Sequence, residues 1–276
     1  MTNRTVLKAV TILAAVAGPL FGSQAFAAEE GSGMAADPAL VAVVNGPQRS
    51  EANKERDKYR HPVETLTFFG LKPDMTVVEL WPFGGWYTEI LAPYLRDHGK
   101  LYGANVGADV QGLGRYRMAF ENKLASDKTL YDKVISTELG VAETDLAPAG
   151  TADMVLTFRN IHNWDPAGMT DSVFKRVYKA LKPGGIFGVV EHRAKPGMED
   201  KEPGYTSEDR AIKQIEAAGF KFVAKSEINA NSKDTKDYPG GVWTLPPDLR
   251  TDHDRDKYLA IGESDRFTLK FVKPEN

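Results

Sequence analysis

The chain has 276 residues, 42% of them hydrophobic and 26% charged, enough to bury one large core or two small ones. Its formal net charge is −3 with both signs interspersed, which argues against a nucleic-acid partner. It contains no cysteine, and therefore no disulfide, thiolate metal site or lipid-bearing cysteine.

In chain order, Arg4 and Lys8 precede an apolar stretch from Ala9 to Leu20, and Ala25-Phe26-Ala27 follows it. A basic start, an apolar centre and a small-x-small site read as a signal peptide over 1–27, cleaved after Ala27. The apolar run is about a dozen residues and holds Gly18-Pro19, too short and broken to span a bilayer. The expected address is the periplasm or the outside of the cell, with no stable membrane anchor after cleavage. Residues 28–37 read as a flexible leader and 38–276 as a single domain, with 38–70 a helical cover. Within that cover the run from Gln48 to Arg60 is highly charged and reads as a solvated helix face, an entrance to a site being its other reading. Pro62 then opens a helix carrying Leu66, Phe68 and Phe69.

Met75 to Leu80 is an apolar run holding Glu79, the pattern of a buried parallel strand. Trp81-Pro82-Phe83-Gly84-Gly85 breaks it, and Trp86 to Leu95 has helical spacing with Ile90, Leu91 and Leu95 on one side. Strand, tight turn and helix make the first half of a βαβ unit, whose helix N-terminus offers free N–H groups at the carboxyl edge of the sheet. Further strands are expected at 101–106, 133–136, 154–158, 186–190, 220–228 and 266–272. Helices are expected at 112–124, 170–181 and 206–218. This alternation predicts an α/β fold with three αβα layers. Residues 229–265 interrupt the rhythm with Pro239-Gly240-Gly241 and Pro246-Pro247, yet keep Tyr238, Trp243 and Tyr258. A connection of that length reads as an ordered insertion covering the site.

Taken together, Val77 to Trp86, Leu101 to Val106, Asp153 to Trp164, Leu181-Lys182-Pro183-Gly184-Gly185 and the closing strands resemble the class I S-adenosylmethionine-dependent methyltransferases. The runs ELWPFGGWYTEILAPYL, RNIHNW, EHRA, GVWTLPP and IGESDR are similar to a bacterial group of secreted, predicted methyltransferases. The resemblance implies a Rossmann-like, mostly parallel seven-stranded sheet with a C-terminal antiparallel strand, and S-adenosylmethionine as cofactor. It places Glu79, Trp81, Phe83, Gly84, Gly85 and Asn105 around that cofactor, with Arg159 and Asn160 at the exit of the fourth strand. The family's turn is acid-x-Gly-x-Gly-x-Gly. Aligned on Glu79, Trp81 and Phe83 replace the first two glycines and only Gly85 keeps the third. Asn105 stands where an acidic side chain takes the ribose hydroxyls, and Glu143 and Asp145 lie near the family's adenine reader.

Candidate catalytic groups follow the fourth and fifth strands: His162, between Asn160 and Asn163-Trp164, and His192, within Glu191-His192-Arg193. Each also reads as a structural imidazole. The five histidines are scattered, and no spacing among them marks a metal site. The expected function is methyl transfer to an unidentified small molecule. The alternative is a non-catalytic periplasmic ligand-binding protein on the same fold.

Overall fold

The computed structural model describes Met1, residues 35–197 and residues 203–275. The signal peptide read over 1–27, Met1 apart, and leader residues 28–34 lie outside the described residues. Among those described, no helix is long and apolar enough to cross a membrane.

Seven strands form one sheet in the order β3-β2-β1-β4-β5-β7-β6. They are β1 (Thr76–Leu80), β2 (Lys100–Val106), β3 (Ile135–Leu139), β4 (Ala152–Phe158), β5 (Leu181–His192), β6 (Lys221–Ser226) and β7 (Arg266–Val272). The first five are parallel, and β7 runs antiparallel between β5 and β6. This is the mostly parallel, Rossmann-like sheet that the motifs imply.

Alternation along each buried strand separates two cores. Val77, Leu101, Met154 and Leu156 face α1 (Pro38–Val44), α4 (Pro62–Phe69) and α5 (Thr88–Leu95). Val78, Ala104, Val155 and Phe187 face α9 (Thr170–Ala180) and α10 (Glu208–Ala217). The period of two in the strands and the apolar stripe Val173-Phe174-Val177 of α9 together make the three layers.

The chain moves outward through β1, β2 and β3, then returns to lay β4 on the other side of β1. That reversal opens a crevice at the carboxyl ends of β1 and β4. Because β7 is antiparallel, its first residue, Arg266, pairs with His192 at the end of β5 and brings Glu263 to Asp265 to the same edge. Two short helices, α2 (Glu51–Lys54) and α3 (Asp57–Arg60), stand over the crevice. Here the solvated-face reading of 48–60 is corrected: Arg49 and Arg60 are buried, and Asn53, Arg56 and Arg60 line a cavity. The cause is ion pairing: Arg49 meets Asp57 within the run, whereas Arg56 and Arg60 meet Glu263 from far along the chain, which charge pattern alone does not reveal.

Candidate functional site

The turn after β1 keeps the backbone of a glycine motif without its glycines. Trp81, Phe83 and Gly85 have φ of 42°, 52° and 72°, three alternate residues in the left-handed region. For Trp and Phe this conformation costs of the order of 1–2 kcal/mol each, so the surroundings hold it. Trp81 N–H donates to Ala104 O (2.9 Å), which extends the β1–β2 ladder by one residue. Its indole then crosses the end of β2, and Nε1–H donates to Leu139 O at the end of β3 (2.8 Å). The ring is 2% exposed and lies 5.7 Å from Trp164 and 5.9 Å from Phe83. Phe83 packs in turn on Tyr116 at 4.8 Å. Asn105 is buried, with Nδ2–H donating to Arg117 O (3.1 Å) and Oδ1 accepting from Val106 N–H (2.8 Å). Glu143 and Asp145 are exposed.

These contacts bear on whether an adenosyl group fits. The resemblance would lay it along the carboxyl ends of β1, β2 and β3, and an indole fills that space. Both polar atoms of Asn105 are taken by backbone groups, and Pro82 offers no N–H. The nucleoside half of the cofactor does not fit the residues present.

What remains open is a cavity of about 360 Å³ displaced toward β4, β5 and β7. Glu79, Trp81, Phe83, Gly84, Arg159, His162 and His192 all line it, whereas Gly85, Asn105 and Asn160 do not. Asn160 instead ties β4 to β1, its Nδ2–H donating to Leu80 O at 3.0 Å. Trp243 and Pro246 of the 229–265 insertion form the opposite wall, and Tyr87 stacks on Phe158 at 3.5 Å.

Arginines dominate the charge. Glu263 meets Arg56 Nε at 2.6 Å, Arg60 Nε at 3.0 Å, Arg266 Nη2 at 2.8 Å and Arg159 Nη1 at 3.8 Å. Burial alone would push the Glu263 carboxyl up. The four guanidiniums outweigh it and hold the group well below the usual carboxylate range. Burial, and then the neighbouring arginines, lower Arg60 strongly and Arg159 to about 10. Arg159 itself has φ 63°, a third strained residue facing the cavity.

On the far side, the buried Glu191 carboxylate accepts from Ile161 N–H (2.6 Å) and His192 N–H (2.7 Å), and meets His162 Nδ1 at 2.9 Å. Asn163 Nδ2 lies 3.1 Å from His162 Nε2. With Asn163 Nδ2–H donating to Nε2, His162 Nδ1–H donates to Glu191. His192 Nδ1 lies 2.5 Å from Ser264 Oγ, and the two imidazole centroids are 5.1 Å apart. Burial, then His162 and the arginines, push His192 well below its ordinary value, so it is neutral at physiological pH. The fold therefore joins two histidines that stand thirty positions apart in the chain. Sequence reasoning named them separately and missed their convergence on Glu191. It placed Arg56 and Arg60 at a site entrance only as the second reading of that run, although their one-turn spacing was an available signal.

Glu79 adds a titration. Burial lifts its carboxyl to about 7, against the lowering effect of the hydrogen bond from Thr88 Oγ1 (2.6 Å). An unfolded chain ionises this group near pH 4.3, so the native state loses stability as pH rises from there through 7. Glu79→Gln is expected to gain on the native chain by on the order of 2 kcal/mol between pH 4.5 and 8. Urea unfolding at the two pH values measures it, and a constant difference would refute the assignment.

Neither a family model nor a curated protein matches the sequence. Solved structures do. An S-adenosylmethionine-dependent methyltransferase from Aquifex aeolicus superposes with a TM-score of 0.51 at 18% identity, over 86% of this chain and 98% of that one. The (4+2)-cyclase SpnF gives 0.57 at 16% identity over 87% and 92%. A geranyl diphosphate C-methyltransferase from Streptomyces coelicolor, solved with Mg2+, geranyl diphosphate and S-adenosyl-L-homocysteine, gives 0.52 at 16% over 84% and 87%. One of these neighbours is a cyclase, so the shared architecture does not by itself fix a reaction. From β3 to β6, the chain has the fold of the S-adenosylmethionine-dependent methyltransferases.

Proposed function

We propose that this protein binds a small anionic molecule in the cavity at the carboxyl edge of a methyltransferase fold, and that this ligand is not S-adenosylmethionine. The observation that carries the reading is the local excess of guanidinium over carboxylate around Glu263. Arg56, Arg60 and Arg159 line the cavity and share one carboxylate, Glu263, with Arg266. Guanidiniums withdrawn from water without a matching charge are costly, and a carboxylate or phosphate between them offsets that cost while taking paired hydrogen bonds. Trp86, Tyr87 and Phe158 supply an apolar wall for the rest of the molecule. His162 and His192 line the same cavity and supply imidazoles that can exchange a proton with the ligand. The signal peptide expected over 1–27 would carry the mature chain away from the cytoplasm, where S-adenosylmethionine is made, which agrees with the reading.

Methyl transfer is the second reading, favoured by Gly84, which lines the cavity with no other atom within 4 Å of where a side chain would begin. A thermal-shift series separates the two. At a hundred times Kd a true ligand adds about 2.7 kcal/mol, which for a chain of this size is a rise of roughly 5–10 °C. Phosphate, sulfate or a small dicarboxylate is expected to give such a rise, lost in Arg159→Gln, while S-adenosylmethionine and S-adenosylhomocysteine give none. A rise with the sulfonium cofactor and none with any anion would overturn the proposal in favour of methyl transfer.

A further inference from the structure

We infer that His162, Glu191 and His192 form a binding site for a divalent first-row transition-metal ion at the wall of the cavity. One ring nitrogen of each histidine and a carboxylate oxygen of Glu191 lie within 4.8 Å of one another. Two histidines and one carboxylate, with further positions open to a cavity, are the ligand set of non-haem Fe(II) sites, and the same donors suit Zn, Co and Mn.

Three features of this chain point to an ion rather than to a purely structural cluster. First, His162 Nδ1 and Glu191 Oε1 are 2.9 Å apart. An ion about 2.1 Å from each would see them at roughly 90°, the angle between neighbouring ligands in an octahedron, once it displaces the proton between them. Second, Glu191 is clamped by the Ile161 and His192 backbone N–H groups, and Asn163 and Ser264 each hold a histidine ring. Metal ligands are oriented by outer partners of this kind. Third, His162 and His192 both line the cavity, so open coordination positions face the space assigned above to the ligand.

This placement rests on the anionic-ligand reading for its chemistry but not for its test. The arginines raise the local positive potential and oppose a dication, so the ion and the anion favour each other's binding. The matching ligand is an oxyanion with a neighbouring oxygen donor: its charge pairs with Arg56, Arg60 or Arg159 while the second oxygen reaches the ion.

The purified protein, stripped with a chelator, is titrated with CoCl2 and followed by calorimetry and visible absorption, once in chloride buffer and once with sulfate. The expected result is one ion per chain, with tighter binding when sulfate is present. His192→Gln and Glu191→Gln should each weaken that binding by about a hundredfold or more, since loss of an outer partner alone costs ten- to a hundredfold. His253→Gln, remote from the cluster, should not weaken it. A native circular-dichroism spectrum in both cluster variants serves as the folding control, and a sulfate-dependent thermal shift in the chelator-stripped native protein separates failure of the metal site from failure of the anion site. Absence of Co2+ binding in both buffers, or binding unchanged in both cluster variants, would overturn the inference.

Discussion

Replacing Trp81 with glycine is expected to destabilise the protein by about 3 kcal/mol and to leave a hole that free indole can fill. The loss has two opposing parts. Removing a buried tryptophan costs roughly 3–5 kcal/mol, through lost burial and the void that incomplete collapse leaves. Against this, the left-handed backbone at residue 81 suits glycine, which returns on the order of 1 kcal/mol. The void would lie within the buried cluster that holds Val106, Leu139, Leu146 and Trp164, and Leu139 O would lose one of its two donors while keeping Gly107 N–H (3.0 Å). An apolar cavity with one freed acceptor lone pair matches indole closely, and adenine less well. Urea unfolding of Trp81→Gly with and without millimolar indole, and with adenosine, measures both effects. A variant as stable as the native chain, or one that indole does not rescue, would show that the indole is not what fills this end of the crevice.

The same residue shows what the sequence could and could not say. The run through Glu79, the break after it and the later KPGG turn located the first strand and the switch point, because strand period and turn chemistry are local properties. Aligning Glu79 on the acid of the methyltransferase turn also identified Trp81 and Phe83 as standing where glycines belong. Pattern could not tell that both residues would keep the glycine-like φ and send their rings across β2. That outcome depends on a carbonyl at Leu139, 58 positions away. The arginine cluster was hidden for the same reason. Arg56 and Arg60 read as ordinary surface charge until Glu263, 207 and 203 positions later, folds in beneath them. Residues joined only by topology leave no periodic trace.

Of the seven described non-glycine residues with positive φ, three line the cavity beside the arginine cluster. Trp81, Phe83 and Arg159 are non-glycine residues with positive φ, and all three line the cavity; His61, also left-handed, joins α3 to α4 just above it. Each costs free energy that a fold without a task at this edge would have little reason to retain. The excess of guanidinium groups belongs to the same pattern. On the anionic-ligand proposal such a cavity is completed by what it binds, and anion and metal titrations therefore test this protein more directly than the fold comparison does.

Removing the one carboxylate among the four guanidiniums is the most damaging change expected here. Glu263→Gln keeps the shape and two hydrogen-bonding atoms but leaves Arg60 and Arg266, both buried, without a counter-charge. Breaking a buried pair by deleting one partner costs about 3–5 kcal/mol, most of it from the charge left behind. The cost should depend on pH in a defined direction. Because the folded Glu263 carboxyl titrates well below its ordinary range, its contribution is fully present above the unfolded value near 4.3 and declines as pH falls below it. The gap between native and variant chains should therefore be widest from pH 5 upward and narrow below pH 4. Sulfate should recover more stability in Glu263→Gln than in the native protein, since the anion then supplies the missing charge as well as occupying the cavity. Urea titrations at pH 3.5, 5 and 7, with and without sulfate, read all three effects. A gap that stays constant across that range would mean that Glu263 contributes through packing alone, and the arginines would then need no anion to balance them.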